Sequence, residues 1–152
     1  MILTSLNLYQ YRLPLDVLLP VGKQRIDHRA GLVLQACASA NVGDEYKQVE
    51  VEIAPLSGID VDEQVFVGFS RETLAQVQTA LTELLPLLGG QHIDTLLDYA
   101  EQSSYPSLAF GLSLLHAKLM GKLDAIRPQT ATVPLIYHPS DAGKDLHDNK
   151  IA

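Results

Sequence analysis

Five histidines, His28, His92, His116, His138 and His147, are the most versatile acid–base and metal-binding side chains in this sequence. A helical two-histidine metal site needs the spacing found in HExxH, and no pair here has it. His138 and His147 flank Asp141, Asp145 and Asp148 in a stretch of loop composition, so the residue types favour solvated surface side chains over ligands. Glu50 and Glu52 share one face of a strand pattern. Paired carboxylates can do acid–base work, but alternation with Val49, Val51 and Ile53 is also what a wet strand face produces. Gly22-Lys23 and Gly143-Lys144 lack the upstream glycine and following Ser or Thr of a phosphate loop. Cys37 is the one cysteine, so neither an intramolecular disulfide nor a thiolate metal cluster can form. Its strand context reads as a small core side chain.

The composition sets the frame for these groups. The chain has 152 residues, 47% hydrophobic and 19% charged, which is globular and large enough for one domain with its own core. Acids outnumber bases 18 to 11, for a net charge of −7. That charge lacks the basic footprint of a nucleic-acid binder and opposes docking on anionic membranes. The opening segment has no basic region followed by an apolar block, so the expectation is no signal peptide and a cytoplasmic protein.

The elements that must position any site fall into two halves. Ile2 to Leu15, Arg29 to Ser39 and Tyr46 to Ala54 read as strands, the last with the period of two that gives one buried and one wet face. Pro14 closes the first strand, and Asp16 to His28, with Pro20 and Gly22, reads as a loop. Asn41 to Asp44 carries hairpin-turn residues, which predicts a three-stranded antiparallel meander. Pro55 to Phe69 reads as a second loop. Helices follow: one capped by Ser70 with Glu72 in its first turn, carrying Leu74, Val77, Leu81, Leu84, Leu85 and Leu88 and ending at Gly89-Gly90. A short one covers Ile93 to Gln102, and a third starts at Pro106 and presents Leu108, Leu112, Leu115 and Leu119. Ala131 to Tyr137 is a lone apolar strand pattern followed by a polar tail.

This order resembles the N-terminal capping domain of the enolase superfamily, and particular stretches resemble the o-succinylbenzoate synthase family. Tyr9 to Asp16 (YQYRLPLD) resembles the family's opening strand, and Arg29-Ala30-Gly31-Leu32 its second. Glu52 to Gly58 (EIAPLSG) resembles E-I-S-P-L-P-G, and Phe69 to Thr73 (FSRET) resembles F-S-x-E-T. Pro106 to Ser113 (PSLAFGLS) resembles P-S-V-x-F-G-L/V-S, and Val133 to Ile136 the first barrel strand. The sequence departs where the family has Gly-Trp-Gly, here Val49, Glu50 and Val51. It departs also at Ser57, in place of a proline, and in the extra residues Ile59 to Gly68.

The resemblance implies an α+β fold, with a capping domain over residues 1–128 and the start of a (β/α) barrel over 129–152. It implies a magnesium-dependent lyase of menaquinone biosynthesis that dehydrates 2-succinyl-6-hydroxy-2,4-cyclohexadiene-1-carboxylate. A lysine of the barrel takes the proton alpha to the carboxylate, and Mg²⁺ stabilises the enediolate. The lysines and acidic ligands of that chemistry belong to barrel strands beyond Ala152. The expectation is therefore that this stretch alone carries no catalytic residue, binds no metal and is inactive. Its own contribution would be two loops over the barrel mouth: Val21, Gly22 and Lys23, and Leu56, Ser57 and Gly58. Lys23 would attract the dianionic substrate; the other reading is a plain solvated loop lysine. The strand 131–137, without its barrel neighbours, is expected to be unpaired or to pair with another chain. Two other readings stay open: another enolase-superfamily enzyme, such as an N-succinylamino acid racemase or a cycloisomerase, and a complete non-enzymatic interaction domain.

Overall fold

The structure is a computed structural model and describes residues 1–21, 23–40, 45–55, 58–59, 65–66 and 71–123. Three strands, β1 (Ile2–Val21), β2 (Gln24–Ser39) and β3 (Lys47–Ile53), form an antiparallel sheet in the order β1-β2-β3, the expected meander. Two further strands, β4 (Gly58–Ile59) and β5 (Val65–Phe66), pair with each other. Helices α1 (Leu74–Leu88), α2 (Thr95–Gln102) and α3 (Pro106–Leu119) complete the described elements.

The alternation in β3 decides which face of the sheet is covered. Val51 and Ile53 are buried and Val49 is partly so, while Glu50 and Glu52 are exposed. On β2 the register puts Leu32, Leu34, Ala36 and Ala38 on the same buried face. The helices supply the other side of the core through Val77, Leu81 and Leu88 of α1, Leu96 of α2 and Leu112 and Leu115 of α3. Burying side chains of this size contributes about 1.5–3 kcal/mol each.

Cys37 is not in that core. It lies between Ala36 and Ala38, so strand periodicity sends it to the opposite face, where it is half-buried and its Sγ stands 3.8 Å from Gln48 Oε1.

The long hairpin corrects the expected loop over Asp16 to His28. β1 runs through Pro14 to Val21 and pairs with β2 as far as Val21 opposite Gln24. Proline is compatible with this because β1 is an edge strand, where a missing N–H need not break a ladder. The irregularity the prolines introduce is real. Pro14 opposes His28 and Leu19 opposes Ile26, so residues 15–18 of β1 face only Asp27. This is a large bulge.

The start of α1 also differs from expectation. Its N-cap is Thr73, whose hydroxyl accepts from the Gln76 N–H at 3.2 Å while Gln76 Oε1 accepts from the Thr73 N–H at 2.9 Å. This is a reciprocal capping box. Ser70 lies outside the described residues, and Glu72 precedes the helix instead of occupying its first turn. At the other end of α1, Gly90 has φ 78°, a left-handed conformation that glycine adopts without strain. Its N–H donates to Leu3 O, and the Leu3 N–H donates to Gln91 O, tying the helical layer to the beginning of β1.

The Asn41–Asp44 turn, the strand pattern at Ala131–Tyr137, and the division of the chain near residue 128 lie outside the described residues.

Candidate functional site

One end of the sheet collects the features that could face a ligand. β3 pairs with β2 only as far as Ile53 opposite Leu32. Beyond that pair, β1 and β2 continue as a two-stranded ribbon to Gln24, roughly 25 Å at about 3.3 Å per residue. The chain leaves β3 at the same end through the buried Pro55, and β4 lies against β2. It returns there too, because Glu72, after the second loop segment, meets the first turn of α3, and Gly111 of α3 abuts Ile53.

The expected loop residues are placed as follows. Val21 makes the last pair of the ribbon with Gln24, and Lys23 sits exposed at its tip. Gly58 pairs with Phe66 in the small β4–β5 hairpin. Gly22, Leu56 and Ser57 lie outside the described residues. Of these residues the structure thus describes Val21 and Lys23 on the ribbon, with Lys23 projecting far beyond the β3 terminus, and Gly58 in β4, which lies against β2.

Several groups at this end carry no sequence signal strong enough to single them out. On the ribbon, His28 Nδ1 stands 2.6 Å from Asp27 Oδ1 and 3.2 Å from Arg12 Nη2. The shorter contact makes His28 the donor to Asp27. That hydrogen bond, with the charges of His28 and Arg12 adding, holds the Asp27 carboxyl below the usual carboxylate range. Val17 is 74% exposed and rides on the bulge with Leu18. Arg71 has φ 55°, a left-handed conformation that costs a non-glycine residue about 1–2 kcal/mol.

On the outer face of the sheet, Tyr11 lies across Gly31, its directly opposed partner. A Cβ at Gly31 would stand 2.5 Å from the Tyr11 hydroxyl, so glycine is what lets the ring lie flat there. The hydroxyl donates to Glu52 Oε1, which also accepts from Arg29 Nη2 at 3.3 Å. Partial desolvation and the carboxylate partner push the Tyr11 phenol up from its ordinary value. Next to this cluster, Asn7 donates to Gln35 at 3.2 Å and Gln35 to Glu50 at 2.7 Å, so Glu50 and Glu52 each bond across strands instead of facing one another as an acid–base pair.

The histidines are not all surface residues. His116 is buried on α3, and its Nε2 bonds Asp94 Oδ1 at 2.9 Å; Asp94 Oδ2 is 3.1 Å from His92 Nδ1. The His116 bond, then the charges of His92 and His116, hold the Asp94 carboxyl below its usual range. One carboxylate thus ties the start of α2 to α3. His138 and His147 lie outside the described residues.

Among the described residues no three His, Cys, Asp or Glu side chains converge as a metal ion requires. They do not fit the Mg²⁺ that the fold family implies. No described helix is long and apolar enough to cross a membrane.

An antiparallel meander covered on one face by three helices, with a long hairpin and a second loop leaving one end, is the capping-domain fold of the enolase superfamily. A mandelate racemase/muconate lactonizing protein from Herpetosiphon aurantiacus shares it, with a TM-score of 0.56 at 16% identity over 80% of this chain and 31% of that one. The family model for the MenC N-terminal domain matches residues 3–119, and the chain belongs to that family. An o-succinylbenzoate synthase from Haemophilus influenzae is 32% identical over 138 residues, 90% of this chain and 36% of the relative. Another from Edwardsiella ictaluri is 33% identical over 127 residues, 82% of this chain and 31% of the relative. The chain spans about a third of the length of these curated relatives.

Proposed function

We propose that this chain is the substrate-capping part of an o-succinylbenzoate synthase acting in menaquinone biosynthesis in the cytoplasm. The reaction dehydrates 2-succinyl-6-hydroxy-2,4-cyclohexadiene-1-carboxylate. The proton alpha to the carboxylate passes to a base, hydroxide leaves the adjacent ring carbon, and the water lost makes the ring aromatic. The base and the Mg²⁺ ligands belong to the barrel that follows the cap, which begins near residue 129. The cap's role is to close over the barrel mouth, exclude water and attract the dianionic substrate. Val21, Gly22 and Lys23 do this together with Leu56, Ser57 and Gly58. The partner is a small molecule, with neither nucleic acid nor membrane involved.

The observation that carries this reading is the match over residues 3–119 to the MenC N-terminal domain family, with relatives of that activity about three times as long. Lys23, exposed at the ribbon tip, supports it. The test is to assay the 152-residue chain alone, and then fused to the portion of the Haemophilus influenzae enzyme that it does not match. The chain alone should give no 2-succinylbenzoate, and the fusion should give it. Turnover by the chain alone overturns the reading. So does a fusion that racemises N-succinylamino acids without dehydrating the cyclohexadiene.

A further inference from the structure

The side chains of Tyr11, Arg29 and Glu52 join all three strands of the sheet where it narrows to two. Glu52 is the next-to-last residue of β3 and opposes Val33. Tyr11 and Arg29 lie beyond the last β2–β3 pair, Leu32 with Ile53, so both belong to the base of the ribbon. Neighbouring strands stand about 4.8 Å apart, so a side chain on β1 reaches β3 only by crossing β2. The Tyr11 ring crosses over Gly31, and its hydroxyl donates to Glu52 Oε1. Arg29 donates to the same oxygen at 3.3 Å. Its hydrogen bond with Tyr11 is the first reason the guanidinium holds its proton more tightly than usual. Global stability does not call for this arrangement. The Arg29 and Glu52 side chains are half exposed, and ion pairs in that setting add little to folding. Nor does packing on the helical core direct the ribbon through Leu13, Val17, Leu18 and Leu19, which are all exposed.

We propose that Tyr11, Arg29 and Glu52 are positioning residues, a clasp that fixes the direction of the ribbon relative to the end of β3. The two loop segments of the proposed function lie on either side of it in the chain. Val21, Gly22 and Lys23 follow Tyr11 along the hairpin, and Leu56, Ser57 and Gly58 begin four positions after Glu52. Holding β3 to the base of the ribbon therefore aligns the two segments before a substrate arrives, which lowers the ordering cost of binding. What the loops do rests on the proposed function; the clasp itself does not. Gly31 offers a way to open the clasp without touching its three members. It is not one of the glycines with positive φ, so alanine fits its backbone. The added Cβ would stand 2.5 Å from the Tyr11 hydroxyl and 2.7 Å from the ring carbon that bears it, so the end of the ring must move away.

The experiment measures the ribbon's direction in the 152-residue chain by pulsed electron–electron double resonance. With Cys37→Ser throughout, nitroxides are attached at Arg25→Cys on the ribbon and Glu83→Cys on α1, both exposed positions. A second pair, Glu83→Cys with Glu101→Cys on α2, reports on the helical layer. With the clasp intact the ribbon pair should give one narrow distance distribution. Tyr11→Phe and Gly31→Ala should each broaden it about twofold, with the helical pair unchanged and the urea midpoint nearly so. Glu52→Ala should do the same, and Glu52→Gln, which keeps an acceptor for the phenol, should restore part of the narrow distribution. A ribbon already broad with the clasp intact overturns the proposal, as do equal widths in all the variants. Broadening of both pairs together also overturns it, because the contact would then hold the whole fold and not the ribbon. The fusion described above separates the clasp from the function of the loops. There Gly31→Ala should raise KM with a smaller change in kcat. An inactive fusion, or an unchanged KM beside a broadened ribbon, removes the proposed role of the loops and leaves the clasp standing.

Discussion

Glu72 accepts the Ser107 backbone N–H with both carboxylate oxygens, at 3.1 and 3.3 Å. The two residues are thirty-five positions apart, and the contact fixes the chain returning from the second loop against the first turn of α3. An acid beside a helix N-terminus satisfies a donor that has no partner within the helix and complements the helix dipole. Glu72 is only 1% exposed, and its loss leaves the part-buried Ser107 N–H without this acceptor. Glu72→Ala is expected to destabilise the chain by about 1.5–3 kcal/mol. Glu72→Gln, which keeps an acceptor oxygen, should cost less. Urea unfolding of the three proteins measures the order.

At the other contact of α3, Gly111 meets Ile53. A Cβ there would come within 2.7 Å of Ile53 Cδ1, and Ile53 is itself fully enclosed. Alanine is the better helix former by about 1 kcal/mol. Overpacking costs about 1–3 kcal/mol, and here the neighbour has nowhere to move. Gly111→Ala should therefore lower the melting temperature, and Gly111→Ala with Ile53→Val should recover part of the loss.

The capping box at α1 gives a smaller, cleaner effect. Thr73→Ala removes one half of the reciprocal pair and should cost ~1 kcal/mol. Thr73→Ser keeps the hydroxyl and should be near neutral. Thermal unfolding followed at 222 nm distinguishes the two.

The Asp94 carboxylate predicts an acid-side dependence. Its folded-state affinity for a proton is depressed, first by the bond from His116. A depressed acid contributes stability above the range where an unfolded aspartate titrates, near pH 4, and that contribution fades as pH falls through the lower folded value. The stability difference between the native chain and Asp94→Asn should be constant at pH 6–7 and shrink below about pH 4. Chemical denaturation at a series of pH values measures it. A difference that instead grows toward low pH would contradict the assignment.

Arg71 offers a test through the backbone. Its φ of 55° is strained for arginine and free for glycine. Arg71→Gly removes that strain but adds flexibility to the unfolded chain, so the net change should be within about 1 kcal/mol. Arg71→Val, β-branched in a left-handed conformation, should be clearly worse. Differential scanning calorimetry ranks them.

The α+β meander was legible where local pattern and tertiary demand agree. Val51 and Ile53 alternate with Glu50 and Glu52, and the sheet buries the first pair and exposes the second. Pro106 marks the first turn of α3, as proline's fixed φ favours. The ribbon was not legible. Pro14, Pro20 and Gly22 are chain breakers by type, and only the knowledge that β1 is an edge strand makes two prolines compatible with it. Ser70 and Thr73 are both good caps by type, and the Gln76 reciprocal bond is what selects Thr73. The Glu72–Ser107 and Asp94–His116 pairs join positions far apart in the chain, and no local period encodes such a pairing. The same holds for Cys37, whose small size suits either face of a strand.

The bulge at residues 15–18 bears on solubility. A strand of 20 residues at a sheet edge is a long row of unsatisfied N–H and C=O groups, the template on which chains add to one another and aggregate. Here that row is never continuous. Leu3 is already bonded to the segment around Gly90 and Gln91, Pro14 and Pro20 each delete a donor, and the bulge throws four residues out of register between them. The far edge of the sheet is guarded as well, by the Lys118 ammonium on the Glu50 carbonyl. The features that hide the hairpin from a reader of the sequence thus also hide it from other copies of itself. Straightening it, by removing the bulge and both prolines, would make a more regular ribbon and a stickier protein.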